Sequence, residues 1–509
     1  MPSRPGHGQR VLRKTPGLPP VPKDIYLASF PRRFDRARVA ALTLGLCLFA
    51  VIYFAPRPPD AIDVFGQRFP LGREGQASIA LFVLAALWWA FEVVPIGVTG
   101  IAVGLLQALL LIRPPKAALG DLFDPAVWFV VGSLTVGMAF ARTGLTQRIA
   151  YRMLPLFGER TRFIYLGAFA TTSLLALVMA HSAAAAAVFP LLMAIYPLYD
   201  EGKQPTRFGK GLFIGMAMSA GAGSICSLLG SARAPVALGL FEHMAARSVS
   251  FYEVSYYLLP LGWTLVLAIW VLMLGLFPPE KHRIDDLQER LRNIGRKLGP
   301  LSAREIVTLL VVAVMLLALS LGSFAPAVAP HKSAVIVTAM VTLFLAGVLE
   351  LRDLEAIPWN VVLLFGGATS LGLCLWQTGA ARWVAVQGLA LWGSAHWLLF
   401  VLGLALLVLV LTNVIVNAAA LAIVLPVGLV SAPYLGLAPE VIFYAAVSAA
   451  GLPLLLLMGA APNAMAYESR QFTSAEFLRA GLPTSVVVMV VVALFVLVAW
   501  PLMGMCIRR

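Results

Sequence analysis

Charge is scarce in this chain. Of its 509 residues, 12% are Asp, Glu, Lys or Arg, about half the share that soluble domains carry. Mean hydropathy is +0.88, and a water-soluble fold is excluded because too little polar surface exists to cover so much apolar mass. The alternating ten-residue pattern of an outer-membrane barrel is missing as well. Cys47, Cys226, Cys374 and Cys506 show no CxxC or Cys/His ligand spacing, so no disulfide framework or zinc site is implied. Histidines are few and scattered, and HExxH, GxSxG, Walker A and paired Asp motifs are all lacking. An enzyme is therefore not expected, and no organic cofactor is called for.

What remains is apolar helix. The chain is expected to be an all-α polytopic membrane protein with about eleven transmembrane helices plus two re-entrant hairpins, its lipid bilayer the principal neighbour. The net charge of +14 reports orientation, not a nucleic-acid partner. It concentrates in a tail over residues 1–37, with Arg4, Arg10, Arg13, Lys14, Lys23, Arg32, Arg33 and Arg36, and in a linker over 279–304, with Lys281, Arg283, Arg290, Arg292, Arg296, Lys297 and Arg304. The positive-inside rule puts both on the cytoplasmic side of a cell (inner) membrane, with the N-terminus inside. Leu42 to Tyr53 is followed by no small-residue cleavage pattern, so a cleavable signal peptide is not expected.

Hydropathy divides the chain into a first helix and outer loop (38–75), a first repeat (76–278), the linker, a second repeat (305–503) and a C-terminal tail (504–509). Two apolar stretches, 163–198 and 395–431, are too long for one simple helix and are broken by small residues at Ala180 to Ala187 and Thr412 to Ala420. Basic residues precede and follow the first on one side, so both read as re-entrant hairpins. Phe123 to Gly144 aligns with the segment ending at Thr378-Gly379, so that Gly132 meets Gly367. HSAAAAAVFP (to Pro190) matches VNAAALAIVLP (to Pro426), and LLGSARA (Leu228 to Ala234) matches LMGAAPNA (Leu457 to Ala464). An odd number of crossings separates equivalent points, which inverts one repeat relative to the other. Inverted repeats with paired interrupted helices mark a secondary transporter whose site lies at the breaks.

The chemistry of the breaks points to a small anionic substrate. A helix that stops in the bilayer leaves carbonyls and N–H groups without partners, and its N-terminal end favours anions while its carbonyl end favours cations. Ser182, Ala183, Ala418 and Ala419 let a ligand approach backbone closely, and Asn417 and Asn463 carry amides that can donate to an anion or ligate sodium.

WAFEVVPIGVTG (Trp89 to Gly100), IPWNVVLLFGG (Ile357 to Gly367) and MGAAPNAM (Met458 to Met465) resemble motifs of the divalent anion:sodium symporters of dicarboxylates, tricarboxylates and sulfate, over nearly the whole span from Ser78 to Leu502. The resemblance implies a homodimer working by an elevator motion, with Ser-Asn-Thr motifs at two hairpin tips holding carboxylates and sodium between tips and interrupted helices. Position by position, the first tip falls on Ala180-His181-Ser182 and the second on Val416-Asn417-Ala418. The first interrupted helix reads Gly230-Ser231-Ala232-Arg233 and the second includes Gly459, Pro462 and Asn463; Thr412-Asn413 stands where Thr-Glu often precedes the second motif. Substrate contacts are thus expected from His181, Ser182, Ala183, Ser231, Arg233, Asn417, Ala418, Pro462 and Asn463, and sodium sites, if retained, at Gly230, Thr412, Asn413, Asn417 and Gly459.

Two replacements add positive charge where a cation would otherwise sit. Arg233, costly at membrane depth, offers a planar fork to a carboxylate, with His181 beside it. A charge that cannot leave with the substrate favours anion exchange or weakened sodium dependence. Sulfate, phosphate or arsenite transport, and a transport-inactive sensor or scaffold, stay open as alternatives. Glu92 is expected to cap or pair near an interface and Arg142 to snorkel.

Overall fold

The computed structural model describes residues 36–63, 66–199, 205–324, 330–392 and 396–508; nearly all of the basic tail lies outside them. The described chain is helical apart from a two-residue ribbon, Ala61–Ile62 paired with Arg68–Phe69. The helices Pro115–Thr143, His181–Tyr199, Phe251–Leu276, Ala303–Gly322, Trp359–Gln377 and Ser474–Leu502 each have the length and apolarity to cross a membrane; shorter apolar helices such as Ile96–Leu109, Lys332–Leu345 and Pro439–Ala449 lie among them. On the helix from Ala303 the exposed side chains include Ile306, Leu310, Val314, Leu317 and Leu321, a stripe at helical spacing that suits lipid and would be untenable in water.

Element for element, the order over 73–276 recurs over 303–502. Arg73–Ala90, Ile96–Leu109 and Pro125–Thr143 answer to Ala303–Phe324, Lys332–Leu345 and Trp359–Gln377. Each repeat then continues with a helical hairpin, a broken span and a closing helix. The first hairpin is Thr161–Leu175 with His181–Tyr199; the second is Trp397–Leu411 with Asn417–Ser431. Arg207–Ile225 with Arg233–Ala245, and Pro439–Ala449 with Ala461–Glu468, are the broken spans.

Packing exchanges partners between repeats. Helix 96–109 lies against 359–377, and 332–345 against 125–143. These crossings form a frame held at glycine contact: a Cβ on Gly100 would lie 2.3 Å from the Leu363 carbonyl oxygen, and one on Gly367 2.2 Å from the Gly100 Cα. Backbones that close gain dispersion contacts along the crossing, the main attraction available where lipid is as apolar as the side chains. Asn360 seals one end by accepting from the Gly97 N–H at 2.8 Å. The hairpins cross over likewise, with helix 181–199 against 461–468 and 233–245 against 417–431.

Charges at the helix ends are paired. Arg148, on the arm helix Leu145–Met153, meets Glu305 at 2.7 Å and donates to the carbonyls of Leu298, Gly299 and Pro300. Arg142 departs from the snorkelling expectation, because its guanidinium pairs with Asp353, whose side chain is 5% exposed. Glu92 also differs: it stands exposed at φ 44° in the turn after Arg73–Ala90, without a pairing partner among the described residues. The turn geometry there presents the side chain to the surroundings instead of back toward a helix end. Three short helices, the amphipathic Leu145–Met153 and Leu287–Lys297 and the apolar Ala380–Trp392, were not resolved by hydropathy, since a 19-residue apolar window passes over them.

The frame predicts a contrast between glycines. Gly367→Ala forces backbone against backbone and should destabilise by about 1 to 3 kcal/mol, whereas Gly388→Ala, with open space at its Cβ inside Ala380–Trp392, should be neutral or stabilising. Thermal unfolding of both variants in detergent measures the difference.

Candidate functional site

The first break runs from Cys226 to Ala232, between helices 207–225 and 233–245. It is pressed onto the tip of the first hairpin. A Cβ on Gly230 would stand 2.3 Å from the Ala176 carbonyl oxygen, so only glycine allows the approach. Ser227 Oγ donates to the Leu177 carbonyl at 2.6 Å, and the His181 N–H donates to the Gly230 carbonyl at 3.3 Å. Hairpin tip and break thus satisfy part of each other's helix-end deficit.

The second break, Ala450 to Ala460, is closed mainly from within. Asn463 Nδ2 donates to the carbonyls of Pro453 and Leu456 at 2.8 and 3.3 Å. Asn413 joins it to the second hairpin: its Nδ2 donates to the Leu409 carbonyl at 2.7 Å and its Oδ1 accepts from the Leu455 N–H at 2.7 Å. Thr412 Oγ1 donates to Leu409 O, and the Thr412 carbonyl faces Gly459. In the first repeat the equivalent of Asn463 is Ala234, so the internal clasp is absent there.

Arg233 occupies the junction of the two breaks. Only 2% exposed, it donates from Nη2 to Ser224 Oγ at 3.0 Å, while Nε and Nη1 have no partner. No carboxylate among the described residues pairs with it. A Cβ on Gly451 would fall 2.4 Å from Nη2, so the guanidinium lies over the backbone of the opposite break. Ser224 lies in the last turn of helix 207–225 and Gly451 just beyond the cap of helix 439–449, and both carbonyl ends favour a cation at this point. Two further buried atoms without partners belong to the same junction, His181 Nδ1 and Ser231 Oγ; Thr171 Oγ1 and Ser219 Oγ, on helices 161–175 and 207–225, are also buried without partners. Each unpaired buried polar group costs about 1 to 3 kcal/mol, so the cluster is expensive unless a ligand completes it.

The expected residues therefore divide. His181, Gly230, Ser231 and Arg233 gather at the first break, and Thr412, Asn413, Gly459, Pro462 and Asn463 at the second. Ser182 and Asn417, half-buried at the first turns of the hairpins' returning helices, have no side-chain hydrogen bond within the described protein. Ala183 is half-buried beside Ser182, and Ala418 packs its methyl into a cluster with Val130, Val236 and Phe365. Sequence reasoning passed over Ser224, Ser219, Thr171 and Gly451. Gly451 carries the readable signal, a glycine closing the small-residue run from Ala445 just before Pro453.

Comparison with known proteins gives a consistent picture. A family model described as the sodium:sulfate symporter transmembrane region matches residues 37–506. The sodium-dependent dicarboxylate transporter SdcS of Staphylococcus saprophyticus is 22% identical over 489 residues, covering 91% of this chain and 92% of its own length. An uncharacterized transporter of Haemophilus influenzae is 25% identical over 458 residues, with coverages of 85% and 93%. Among solved structures, Neisseria gonorrhoeae MtrF superposes with a TM-score of 0.57 at 14% identity, covering 91% of this chain and 95% of that one. Alcanivorax borkumensis YdaH does so at 0.55 and 14%, with coverages of 92% and 97%. At such identities these two structures speak to the fold alone.

A buried, nearly unpaired cation should be a burden on the unliganded protein. Arg233→Met, which keeps the volume and removes the charge, is expected to raise unliganded stability by about 1 to 4 kcal/mol. It should also weaken stabilisation by an anionic ligand, in step with a roughly ten- to hundredfold loss of affinity. Thermal unfolding with and without succinate, citrate or sulfate reads both effects.

Proposed function

The chain belongs to the sodium:sulfate symporter transmembrane family, and from that premise we propose that it is a secondary active transporter of small divalent anions, most suitably di- or tricarboxylates. The observation that carries the reading is Arg233, a guanidinium 2% exposed with two of its nitrogens unpartnered where the two breaks meet. Its fork can bind a carboxylate bidentately. Ser231 and His181 offer further polar atoms nearby, and the first turns at His181, Arg233, Asn417 and Ala461 bring helix N-terminal N–H groups that favour anions. Sodium-dependent dicarboxylate transport by the Staphylococcus relatives supports the same substrate class.

Coupling follows from the asymmetry of the breaks. In the first, Arg233 supplies a permanent charge at two helix carbonyl ends, where a mobile cation would otherwise be favoured. The second keeps Asn417, Gly459 and the Thr412 carbonyl as neutral oxygen-bearing groups fit for a sodium ion. An empty carrier would have to move with Arg233 uncompensated, which raises the cost of returning without substrate. The reading is therefore anion exchange, or uptake with reduced sodium dependence. The hairpins and broken spans are the moving unit of an elevator, and the glycine-crossed frame is the stationary one. We assign the protein to the cell inner membrane as a homodimer, with its N-terminus and basic linker on the cytoplasmic side.

The test is transport in proteoliposomes of labelled succinate, citrate, sulfate and phosphate, with and without a sodium gradient, and with and without internal anion. A dicarboxylate accelerated by internal dicarboxylate, with modest response to sodium, is the expected outcome. Arg233→Ala should bind it roughly ten- to hundredfold more weakly, the worth of a hydrogen-bonded charge. Strict sodium dependence that survives unchanged in Arg233→Ala overturns the fixed-charge reading. Absence of any anion flux or thermal shift would instead favour a sensor or scaffold.

A further inference from the structure

The two repeats are alike in order but unlike in exposure. In helix 233–245 every residue from Arg233 to Phe241 is buried, whereas in its counterpart 461–468 Ala461, Ala464, Tyr467 and Glu468 are exposed. Packing tells the same story. Helix 233–245 lies against 125–143 and 359–377 of the frame, while 461–468 has no comparable packing on either. Helix 417–431 is likewise seated on 359–377, and 181–199 touches 125–143 only lightly. The protein is thus closed against its frame on the face opposite the basic linker, and open toward the linker's face.

Charge pairs sit at the closed end. His243 Nε2 and Asp124 Oδ2 are 3.1 Å apart, and Lys332 Nζ donates to Glu242 Oε1. Lys332 also donates to the Val249 carbonyl at 3.1 Å. Glu242 and His243 belong to the broken span; Asp124 caps the frame helix 125–143, and Lys332 is the first residue of the frame helix 332–345, which His331 caps. Below these pairs a cavity of about 210 Å³ runs to Phe129, Pro235 and Leu228, the last within the first break. Equivalent positions in the other repeat, at the open end, are Trp359, Ile96, Gln471 and Phe472, none of them charged. The pairs therefore belong to one conformation and one face.

Resting on the transporter reading above, we infer that Asp124–His243 and Glu242–Lys332 form a latch that holds the site open to the basic face, and that both pairs must part each time the site turns to the other face. They are positioning residues and touch no substrate. Since the pairs are partly exposed, with His243 and Asp124 side chains at 48% and 9% and Lys332 and Glu242 at 19% and 21%, the latch is weak enough to open repeatedly. It also responds to protons. His243 is faced by Asp124 and Asp121 from the frame side, by Glu242 on its own helix, and by His331 and Lys332 from the neighbouring helix start. Protonating the imidazole turns its hydrogen bond into an ion pair, so acid on that face tightens the latch.

Cysteine accessibility tests this without any substrate. In a Cys47→Ser, Cys506→Ser background, which removes the exposed native thiols, Ala464→Cys reports opening to the basic face and Pro235→Cys opening to the other. A membrane-impermeant maleimide is applied from each side in turn. Adding Asp124→Asn with Glu242→Gln should slow labelling at 464 and speed it at 235, each by about three- to tenfold, the worth of two half-exposed ion pairs. The exchanged pair Glu242→Lys with Lys332→Glu should restore the latched rates, which a merely misfolded variant could not do. Acidifying the closed face should raise labelling at 464 in the wild type and leave His243→Gln unaffected. Labelling rates unchanged in the neutralised variant, or no rescue by exchange, overturn the latch. Anion flux measured in parallel separates the two readings, because a protein that shifts its labelling but carries no anion keeps the latch and loses the transporter.

Discussion

A helix that ends inside a bilayer cannot leave its last carbonyls and first N–H groups to water, and the rest of this structure is organised by where those groups find partners. The frame avoids the problem by using unbroken helices that meet at glycine. The hairpins and broken spans meet it four times, at two hairpin tips and two breaks. Gly230 brings one break within reach of the Ala176 carbonyl, and Asn413 ties the other to its hairpin through the Leu455 N–H. The repeats solve the same deficit by different chemistry: an amide clasp in one, and bonds between break and hairpin tip through Ser227 and the His181 N–H in the other.

That difference gives the molecule a functional polarity despite its internal symmetry. Asn463 spends its donors on its own break, leaving that half close to self-sufficient. Arg233 satisfies little around it and is itself satisfied by little, a cost that makes sense when something negative arrives. The contact between Arg233 and Gly451 adds a second dependence. Any side chain at Gly451 would push the guanidinium off the axis where two helix carbonyl ends converge, so one repeat holds the charge and the other provides its space.

Much of this was legible from the residues. Repeats, hairpins and breaks show themselves because small-residue runs ending at Pro190 and Pro426 interrupt otherwise continuous apolar stretches, and their physical cause is local. What stayed hidden depends on distant partners. Arg142 reads as a snorkelling cation until Asp353, 211 residues away, is placed beside it. Asn463 reads as a ligand-facing amide, yet the same signal, an asparagine after proline, also fits a side chain folded back on its own break. Ser219 and Thr171 look like ordinary small helical residues, and only three-dimensional placement leaves their hydroxyls buried without partners.

The exchange of frame helices also constrains how the protein is made. Gly97 finds Asn360 across 263 residues of chain, which at translation rates of about 5 to 20 residues per second takes roughly ten to fifty seconds. For that interval helix 96–109 sits in the membrane with its glycine face unfilled, open to lipid or to a neighbouring nascent chain. Correct biogenesis therefore depends on keeping the first repeat waiting, in an incomplete form, until its second half emerges.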